Sequence, residues 1–260
     1  MKEDIINIVK IGGNIINDTE KLKNFLKRFS TLPGKKILVH GGGKEATEIS
    51  KKLGIETIMR EGRRITDRAT LDVVTMVYAG LLNKRIVSIL DDESCKAIGL
   101  TGADAEVIPA RRRDPKPIDY GYVGDIETSK INTSFIFSLL DQQIVPVFCA
   151  ICYEKGGSLL NCNADSVASA IAEACSQSTE VRLTYCFEKP GVMADVENPD
   201  SLIPLVTQES FKELIASGAI SGGMIPKVTN ALKATDAGVK EVRICDAENL
   251  TNQIGTIIRK

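Results

Sequence analysis

Two apolar, β-branched segments of this chain end abruptly in glycine clusters. The run from Ile5 to Ile11 leads into Gly12-Gly13, and the run from Lys36 to His40 leads into Gly41-Gly42-Gly43. A strand that ends in glycines leaves backbone N–H groups open to a ligand, because no side chain covers them. A helix that begins there adds partial positive charge at its N-terminus. The pattern therefore predicts anion-binding turns at the ends of two strands.

A third glycine pair, Gly222-Gly223, precedes the segment Met224-Ile225-Pro226-Lys227. For a single glycine pair, a tight turn without a ligand is the better explanation. Three such turns in one chain indicate that several anionic groups are held close together, as phosphoryl transfer requires. The sequence contains no G-x-x-x-x-G-K-[ST] loop, so a Walker A motif is excluded as the means of binding phosphate.

Strand-like and helix-like segments alternate along the sequence. Predicted strands cover 5–11, 36–40, 97–100, 144–148, 181–185 and 239–244, and predicted helices cover 20–29, 44–53, 68–91, 164–175, 211–217 and 224–237. This alternation predicts an α/β protein with a largely parallel sheet that helices cover on both faces. Two predicted hairpins interrupt it, one from Val107 to Val123 and the other at Lys155-Gly156-Gly157.

A polar stretch, Ser176-Gln177-Ser178-Thr179, separates a predicted helix from a predicted strand. We expect it to divide the chain into an N-terminal lobe, residues 1–178, and a smaller C-terminal lobe, residues 179–260. An ordinary helix-to-strand turn would have the same composition, so both explanations stay open at this point.

Composition excludes several classes of protein. The formal net charge of −1 gives no general attraction to nucleic acid or to an anionic membrane. Uninterrupted apolar runs are far shorter than the roughly 20 residues of a spanning helix, and the start of the chain shows no secretion signal. The seven cysteines are scattered, and the Cys149-x-x-Cys152 pair has no second pair to complete a zinc site. We therefore expect buried, reduced thiols in a cytoplasmic protein, and His40, the single histidine, rules out a His-rich metal site.

The segment Gly41-Gly42-Gly43-Lys44-Glu45-Ala46 also satisfies the G-x-G-x-x-A fingerprint of dinucleotide-binding proteins. That fingerprint requires an acidic residue at the end of the next strand, and Glu61 is the nearest candidate. Glu61 lies in the cationic turn Arg60-Glu61-Gly62-Arg63-Arg64, which suits a carboxylate ligand better than a ribose. A nicotinamide cofactor is therefore the weaker hypothesis.

Five ordered motifs, taken together, resemble those of the amino acid kinase family. They are Lys10-Ile11-Gly12-Gly13, His40-Gly41-Gly42-Gly43, Gly62-Arg63-Arg64-Ile65-Thr66, Asn161-Cys162-Asn163-Ala164-Asp165 and Gly223-Met224-Ile225-Pro226-Lys227. The resemblance extends from Asn7 to Ile257. It implies a three-layer αβα sandwich around an open, mainly parallel sheet, with two lobes. It also implies transfer of the γ-phosphoryl group of ATP to the γ-carboxylate of N-acetyl-L-glutamate, giving an acyl phosphate in arginine biosynthesis.

The resemblance implies a role for individual residues. Lys10 and Lys227 would flank the transferring phosphoryl group, and Asp165 would orient both lysines. The acyl-glutamate would bind in the N-terminal lobe to Gly42, Gly43, Arg64 and Asn161. ATP would bind mainly in the C-terminal lobe, in contact with Gly12, Gly13, Glu188, Gly191, Ser221, Gly222 and Gly223. The chain departs from the family pattern at Glu188-Lys189, where an aspartate and an apolar residue are expected, and at Arg63, where an apolar residue is expected.

The residues themselves are consistent with this chemistry. A carboxylate acceptor is already ionised near neutral pH, so the reaction needs no general base. The obstacle is repulsion between anions, which fixed cations and helix N-termini relieve. Lys10 lies between Val9 and Ile11 in an apolar run, an unusual place for a lysine that only faces water. We expect ATP as co-substrate, Mg²⁺ carried by the nucleotide, and no metal site built by the protein.

Two alternative functions remain open. Arg63 and the basic segment Arg111-Arg112-Arg113 could pair with an additional carboxylate, which would make N-succinyl-L-glutamate the substrate. The chain could instead be a non-catalytic module that binds an amino acid on the same fold. Family members that arginine inhibits carry an extra N-terminal helix, and here the first predicted strand begins too early for one. A homodimer that arginine does not inhibit is therefore expected.

Overall fold

One eight-stranded sheet organises the fold, which a computed structural model describes for residues 5–195, 198, 200–220, 224–252 and 254–260. In chain order the strands are β1 (Ile6–Ile11), β2 (Lys35–His40), β3 (Met59–Arg60), β4 (Arg63–Arg64), β5 (Ala97–Leu100), β6 (Ala110–Arg112), β7 (Gly124–Ile126), β8 (Val145–Cys149), β9 (Ile151–Glu154), β10 (Ser158–Asn161), β11 (Val181–Phe187), β12 (Leu205–Val206), β13 (Glu241–Asp246) and β14 (Thr256–Ile258). The large sheet has the order β12-β14-β13-β11-β1-β2-β8-β5. Strands β13 and β14 pair antiparallel and the other neighbours run parallel.

Helices connect these strands. They are α1 (Gly13–Ile16), α2 (Thr19–Ser30), α3 (Gly43–Lys52), α4 (Arg68–Thr75), α5 (Asn83–Asp92), α6 (Thr133–Asp141), α7 (Ala164–Ser176), α8 (Gln208–Ala216) and α9 (Met224–Asp236). Polar side chains cap the N-termini of several helices. Asp18 accepts hydrogen bonds from two backbone N–H groups of α2, and Asn163 does the same for α7. Such caps satisfy N–H groups that have no partner within the helix, which fixes where each helix begins.

The large sheet separates two hydrophobic cores. Along β1, Ile6 and Ile8 point into one core, and Val9 and Ile11 point into the other. This alternation follows from the two-residue period of a strand. Buried residues of α6, α7 and α9 cover the first face, and those of α2, α4 and α5 cover the second. The predicted three-layer αβα sandwich around an open, mainly parallel sheet is therefore confirmed.

Strands from the N-terminal part of the sequence form one half of the large sheet, and strands from the C-terminal part form the other half. Strands β1, β2, β8 and β5 form one half, and β11, β13, β14 and β12 form the other. The halves join where β1 pairs with β11, from Ile6 opposite Val181 to Ile11 opposite Cys186. The polar stretch after α7 connects the halves, and the division at residues 178 and 179 stays a prediction.

The longest helical segment runs from Arg68 to Asp92 and joins α4 to α5 through a π-helical stretch, Met76–Leu82. It has 25 residues, and an 18-residue window within it has a mean hydropathy of 1.4, so it is long and apolar enough to cross a membrane by length and composition alone. Its uninterrupted apolar runs are short, because Asp72 and the segment Asn83-Lys84-Arg85 divide them. Its inner face, which includes Val74 and Leu82, is buried in the second core, as in a core helix of a globular protein.

Several smaller predictions can be compared with the structure. The predicted hairpins correspond to the antiparallel pairs β6–β7 and β9–β10. The strand predicted over 144–148 corresponds to β8, and after Ala150 the chain continues in β9, which lies outside the large sheet. Helix α6 was not predicted at all. All seven cysteines are buried and free of disulfides, as expected.

Candidate active site

The glycine turns at the ends of β1 and β2 lie at the carboxyl edge of neighbouring parallel strands. Strand β1 lies between β2 and β11, and the chain leaves these strands toward different helices. In open α/β sheets such a point leaves a crevice at the carboxyl ends of the strands. Two cavities open here. We call the one lined by Lys10, Lys227 and Asp165 the lysine cavity, and the one lined by Arg64, Asn161 and the Gly41–Gly43 turn the arginine pocket.

Lys10 is buried at the end of β1 and is held by Asp165. Its side chain follows the face of β1 that carries Ile6 and Ile8, and only 8% of the residue is exposed. The Lys10 Nζ atom lies 2.7 Å from Oδ1 of Asp165, which belongs to the first turn of α7. An acidic side chain at that position also favours the helix dipole. The ion pair compensates the charge of a buried ammonium group, which would otherwise be costly to bury.

Lys227 reaches the same cavity from α9, more than 200 residues later in the sequence. Its Nζ atom lies 3.7 Å from the centre of the Phe187 ring, and Nζ of Lys10 lies 5.1 Å from the centre of that ring. Aromatic faces attract ammonium groups within about 6 Å. Burial lowers the pKa of Lys227, the Lys10 ammonium lowers it further, and the Asp165 carboxylate opposes both. The structure thus brings the two lysines together over one ring.

The other residues expected to contact the nucleotide surround these lysines. Gly12, Gly13, Glu188 and Gly191 all line the lysine cavity, whose volume is about 430 Å³. A Cβ atom on Gly13 would meet only open space, whereas one on Gly191 would collide with the Thr256 side chain. Gly13 therefore leaves its backbone open to a ligand, and Gly191 permits close packing. Ser221, Gly222 and Gly223 lie outside the described residues.

Arg64 is fixed by hydrogen bonds at the edge of the arginine pocket. It is 8% exposed, and its Nη2 atom donates to the Gly43 carbonyl and to Thr47 Oγ1, both at 2.8 Å. Its Nη1 atom donates to Thr57 Oγ1 at 3.1 Å. A guanidinium held in one plane offers its remaining N–H donors in a fork suited to a carboxylate.

Gly42, Gly43 and Asn161 complete this pocket, which has a volume of about 210 Å³. The side-chain amide of Asn161 donates to Thr66 Oγ1 at 3.0 Å, and Thr66 Oγ1 donates to the Arg64 carbonyl at 3.1 Å. A Cβ atom on Gly42 would collide with Tyr78 and Leu82. Glycine is therefore required at position 42 by close packing from the π-helical stretch.

His40 supports the glycine turn from below. Its ring is fully buried, with Nδ1 2.7 Å from the Gly41 carbonyl and Nε2 3.0 Å from the side-chain nitrogen of Asn83. Burial lowers the pKa of His40 to about 4, so the ring is neutral at pH 7. A neutral ring that donates from Nδ1 and accepts at Nε2 satisfies both contacts. Both nitrogens of the His40 ring are thus engaged by protein groups, one of them the glycine turn.

The two cavities meet at the N-terminus of α7. Asn163 and Ala164 line the arginine pocket, and the next residue, Asp165, lines the lysine cavity. On the opposite wall a Cβ atom on Gly41 would lie 3.5 Å from Ala164 Cβ, so the glycine turn packs closely on the start of α7. Ligands in the two cavities would therefore meet beside Asp165.

Sequence reasoning missed three groups at this site. Phe187 lies two residues beyond the strand predicted over 181–185, Tyr78 lies within the helix predicted over 68–91 but was given no role, and Thr66 was part of a motif without a role of its own. Each lies next to a residue that was identified, namely Lys227, Arg64 and Asn161. Only Phe187 gave a usable indication, because it directly precedes the expected nucleotide segment at Glu188.

The structure argues against the dinucleotide alternative. Glu61 lies in the turn between β3 and β4, outside the large sheet, where Tyr120 donates to its carboxylate at 3.4 Å. The fingerprint requires an acidic residue at the end of a strand in the large sheet. Among the described residues, no three His, Cys, Asp or Glu side chains form a group that could hold a metal ion.

Comparison with known proteins gives a consistent family assignment. The sequence profile of the amino acid kinase family matches residues 6–246. Acetylglutamate kinase of Phocaeicola vulgatus is 49% identical over 260 residues, which are 100% of this chain and 100% of that protein.

Solved structures give the same fold. A crystal structure of a Streptococcus mutans protein is 28% identical, with a TM-score of 0.79, and the match covers 98% of both chains. Carbamate kinase from Giardia lamblia bound to AMP-PNP is 17% identical, with a TM-score of 0.68, and the match covers 100% of this chain and 99% of that one.

Proposed function

This chain belongs to the amino acid kinase family, and we propose that it transfers the γ-phosphoryl group of ATP to the γ-carboxylate of N-acetyl-L-glutamate. The product is an acyl phosphate, and the reaction is a step of arginine biosynthesis. One observation carries the proposal: two lysines from distant parts of the sequence share one cavity, directly beside a pocket whose arginine is fixed for a carboxylate. The relatedness to acetylglutamate kinases over the whole chain supports the choice of substrate.

In the proposed reaction, an oxygen of the γ-carboxylate attacks the γ-phosphorus of ATP. The new C–O–P bond forms as the bond from the γ-phosphorus to the bridging oxygen breaks, and ADP leaves with that electron pair. No proton is transferred, because the acceptor carboxylate has a reference pKa near 4.3 and is ionised at pH 7. This fits a site in which the single histidine of the chain is buried below a glycine turn.

Catalysis then consists of positioning and charge stabilisation. Lys10 and Lys227 neutralise the charge on the transferring group, Asp165 holds Lys10, and Gly12 and Gly13 offer backbone donors to the phosphates. Mg²⁺, carried by ATP, would neutralise part of the remaining phosphate charge. Among the described residues, two carboxylates line the cavity, those of Asp165 and Glu188. Asp165 is already engaged by Lys10, so of these two only Glu188 could contact a metal ion. We therefore assign the metal to the nucleotide rather than to a protein site.

The arginine pocket would hold the acyl-glutamate by its α-carboxylate. Arg64 supplies the charge, and Asn161 and the N–H groups of Gly42 and Gly43 supply further donors. In this proposal the acceptor is bound within residues 1–178 and the nucleotide mainly within residues 179–260. We also propose that the protein acts in the cytoplasm as a homodimer.

The test of this function is direct. Wild-type protein is incubated with ATP, Mg²⁺ and N-acetyl-L-glutamate, and acyl phosphate is trapped with hydroxylamine as the hydroxamate. We expect one hydroxamate for each ADP formed, and neither product without the acyl-glutamate. ADP formation that does not depend on the acyl-glutamate, or no ADP formation at all, would contradict the proposal. The latter result would favour the non-catalytic amino-acid-binding module, which the shared cavity of Lys10, Lys227 and Asp165 argues against.

A second candidate substrate, N-succinyl-L-glutamate, is favoured by the position of Arg63. This residue lines the arginine pocket and also a neighbouring cavity of about 270 Å³, as does Asn163. In the basic segment, Arg112 donates to the Gly121 carbonyl, and Arg113, which also lines the neighbouring cavity, is paired there with Asp125. Arg63 is therefore the arginine best placed for an additional carboxylate on a longer acyl group.

To distinguish the two candidate substrates, kcat/KM is measured for N-acetyl-L-glutamate and for N-succinyl-L-glutamate, in wild-type protein and in Arg63→Ala. If the succinyl compound is a substrate through Arg63, the variant loses about tenfold with that compound and little with the acetyl compound. Arg111→Ala, which removes an arginine of the basic segment Arg111-Arg112-Arg113, is the matched control. Exclusive use of the acetyl compound by wild-type protein would end this alternative.

A further inference from the structure

A tyrosine in the arginine pocket has no role so far. Tyr78 is 5% exposed and lines the pocket together with Arg64 and the Gly41–Gly43 turn. A Cβ atom built on Gly43 would lie 3.7 Å from the Tyr78 hydroxyl oxygen and 3.7 Å from Nη2 of Arg64. The phenol and the guanidinium therefore lie side by side at the same backbone position.

The π-helical stretch Met76–Leu82 places Tyr78 there. Hydrogen bonds from residue i to i+5 widen the helix, and such stretches are frequent at functional sites. Tyr78 and Leu82 both pack against Gly42, so the ring is held between the helix and the glycine turn. The hydroxyl end of the ring is thereby directed to the pocket rather than to the core.

The Arg64 guanidinium lies beside the Tyr78 hydroxyl, and its positive charge opposes the rise that burial causes in the pKa of this phenol. A guanidinium has donors only and cannot accept the phenol proton, so that proton is available to another acceptor. Burial raises the pKa of Tyr78, which keeps the phenol protonated at pH 7. A carboxylate bound to Arg64 would be within the reach of that proton.

We propose that Tyr78 is a substrate-binding residue, whose hydroxyl donates to the same carboxylate that Arg64 binds. This inference rests on the proposed function and deepens it: the pocket recognises the α-carboxylate of the acyl-glutamate with a cation and a neutral donor together. A hydrogen bond to a charged group discriminates strongly against a ligand without that group, because the donor is then left unpaired.

The test compares Tyr78→Phe with wild-type protein for two ligands, N-acetyl-L-glutamate and 4-acetamidobutanoate, which lacks the α-carboxylate. Phenylalanine keeps the ring that packs against Gly42 and removes only the hydroxyl. By calorimetry we expect the dissociation constant of N-acetyl-L-glutamate to rise about tenfold or more, and that of 4-acetamidobutanoate to change less than about twofold. Tyr153→Phe, on β9 and away from the pocket, should change neither value.

An equal change for the two ligands, or no change for either, would overturn the assignment of Tyr78. Thermal unfolding of Tyr78→Phe shows whether the variant keeps its fold, and Tyr78→Leu, which also removes the ring, should weaken binding of both ligands. Failure of the proposed function is distinguished by the wild-type protein alone. If wild type binds N-acetyl-L-glutamate but forms no acyl phosphate, the kinase proposal fails while the comparison of the two ligands still tests Tyr78.

Discussion

In the arginine pocket, protein oxygens already hold the cation, whereas in the lysine cavity one of the two cations lies against an aromatic ring. Arg64 donates three hydrogen bonds to Gly43, Thr47 and Thr57. Lys10 has its ion pair with Asp165, and the described contact of the Lys227 ammonium is with the Phe187 ring.

In the proposed reaction, this difference between the cavities matches the different demands of the two ligands. A carboxylate that is bound but does not react keeps its charge and position through the reaction, so a guanidinium held in one orientation binds it best. A transferring phosphoryl group moves and redistributes its charge, so at least one nearby cation must be free of a fixed counter-charge. An aromatic ring attracts an ammonium group, but unlike a carboxylate it carries no net negative charge and accepts no proton. The predictions below test whether the two cavities divide the work in this way.

The largest effect is expected from removing either lysine charge. Lys10→Met and Lys227→Met should each lower kcat about 10²–10³-fold, corresponding to about 2.7–4 kcal/mol of transition-state stabilisation. The KM for the acyl-glutamate should change little, since both lysines act in the other cavity. Steady-state kinetics measures both values, with the exposed Lys23→Met on α2 as control. Near-normal turnover in one variant would remove that lysine from the mechanism.

Arg64→Ala should have the opposite effect on the two kinetic constants, changing KM more than kcat. Loss of the charged hydrogen bonds, worth about 1.5–3 kcal/mol, should raise the KM for N-acetyl-L-glutamate about 10- to 150-fold with a smaller change in kcat. Arg68→Ala, at the start of α4 and paired with Asp72, is the control. If KM is unchanged in Arg64→Ala, the arginine pocket is not the acceptor site and the comparison of the two cavities fails.

The rigidity of the arginine pocket should weaken at acid pH because of His40. Its pKa in the folded protein is about 4, below the reference value of about 6.5 for the unfolded chain. The unfolded state therefore binds more protons between these values, and stability present above pH 6.5 is lost as the pH falls toward 4. From pH 7 to pH 5 this one group should cost about 2 kcal/mol of unfolding free energy.

Urea unfolding at the two pH values measures this loss. Carboxylates also contribute to acid sensitivity, so the difference between wild type and His40→Gln isolates the imidazole. The variant should be less stable at pH 7 and less dependent on pH. Equal slopes in the two proteins would show that His40 is not buried in its neutral form.

Replacing the ring in the lysine cavity should have the smallest effect. Phe187→Leu keeps an apolar side chain but removes the aromatic face, so kcat should fall about three- to tenfold while the KM for the acyl-glutamate stays constant. Phe187→Tyr keeps the face and should restore most of kcat. If Phe187→Leu and Phe187→Tyr are equally impaired, the ring acts through its shape and not through its attraction for the lysines.

Much of this architecture could be predicted because it is encoded locally. Strand β1, the glycine turn after it and helix α2 follow from adjacent residues and their periodicity. The strand predicted over 181–185 extends to Phe187, and the helix predicted over 68–91 matches α4 to α5 within a residue at its end. Helix α6 was not predicted; five of its nine residues are apolar, and Phe135 and Phe137 pack against the first core together with the buried Ile136, so the segment shows no clear polar face.

The site was predicted as a set of residues and not as an arrangement. The motif at Lys10 and the motif at Lys227 gave no distance between the two side chains, and the segment before Lys227 includes Ser221, Gly222 and Gly223, which the structure does not describe. The contacts of Phe187 and Tyr78 depend on side chains from other elements, and the sequence offered only the position of Phe187 beside Glu188 as an indication.

The sequence by itself determined the order of strands and helices, the glycine turns and the types of charge available, because these depend on neighbours along the chain. Only the tertiary structure decided that β1 lies between β2 and β11, and thus that Lys10, Asp165 and Lys227 face one cavity beside Arg64. The physical reason is that a parallel sheet brings together the carboxyl ends of strands that are far apart in sequence, and burial on both faces of the sheet fixes which ones.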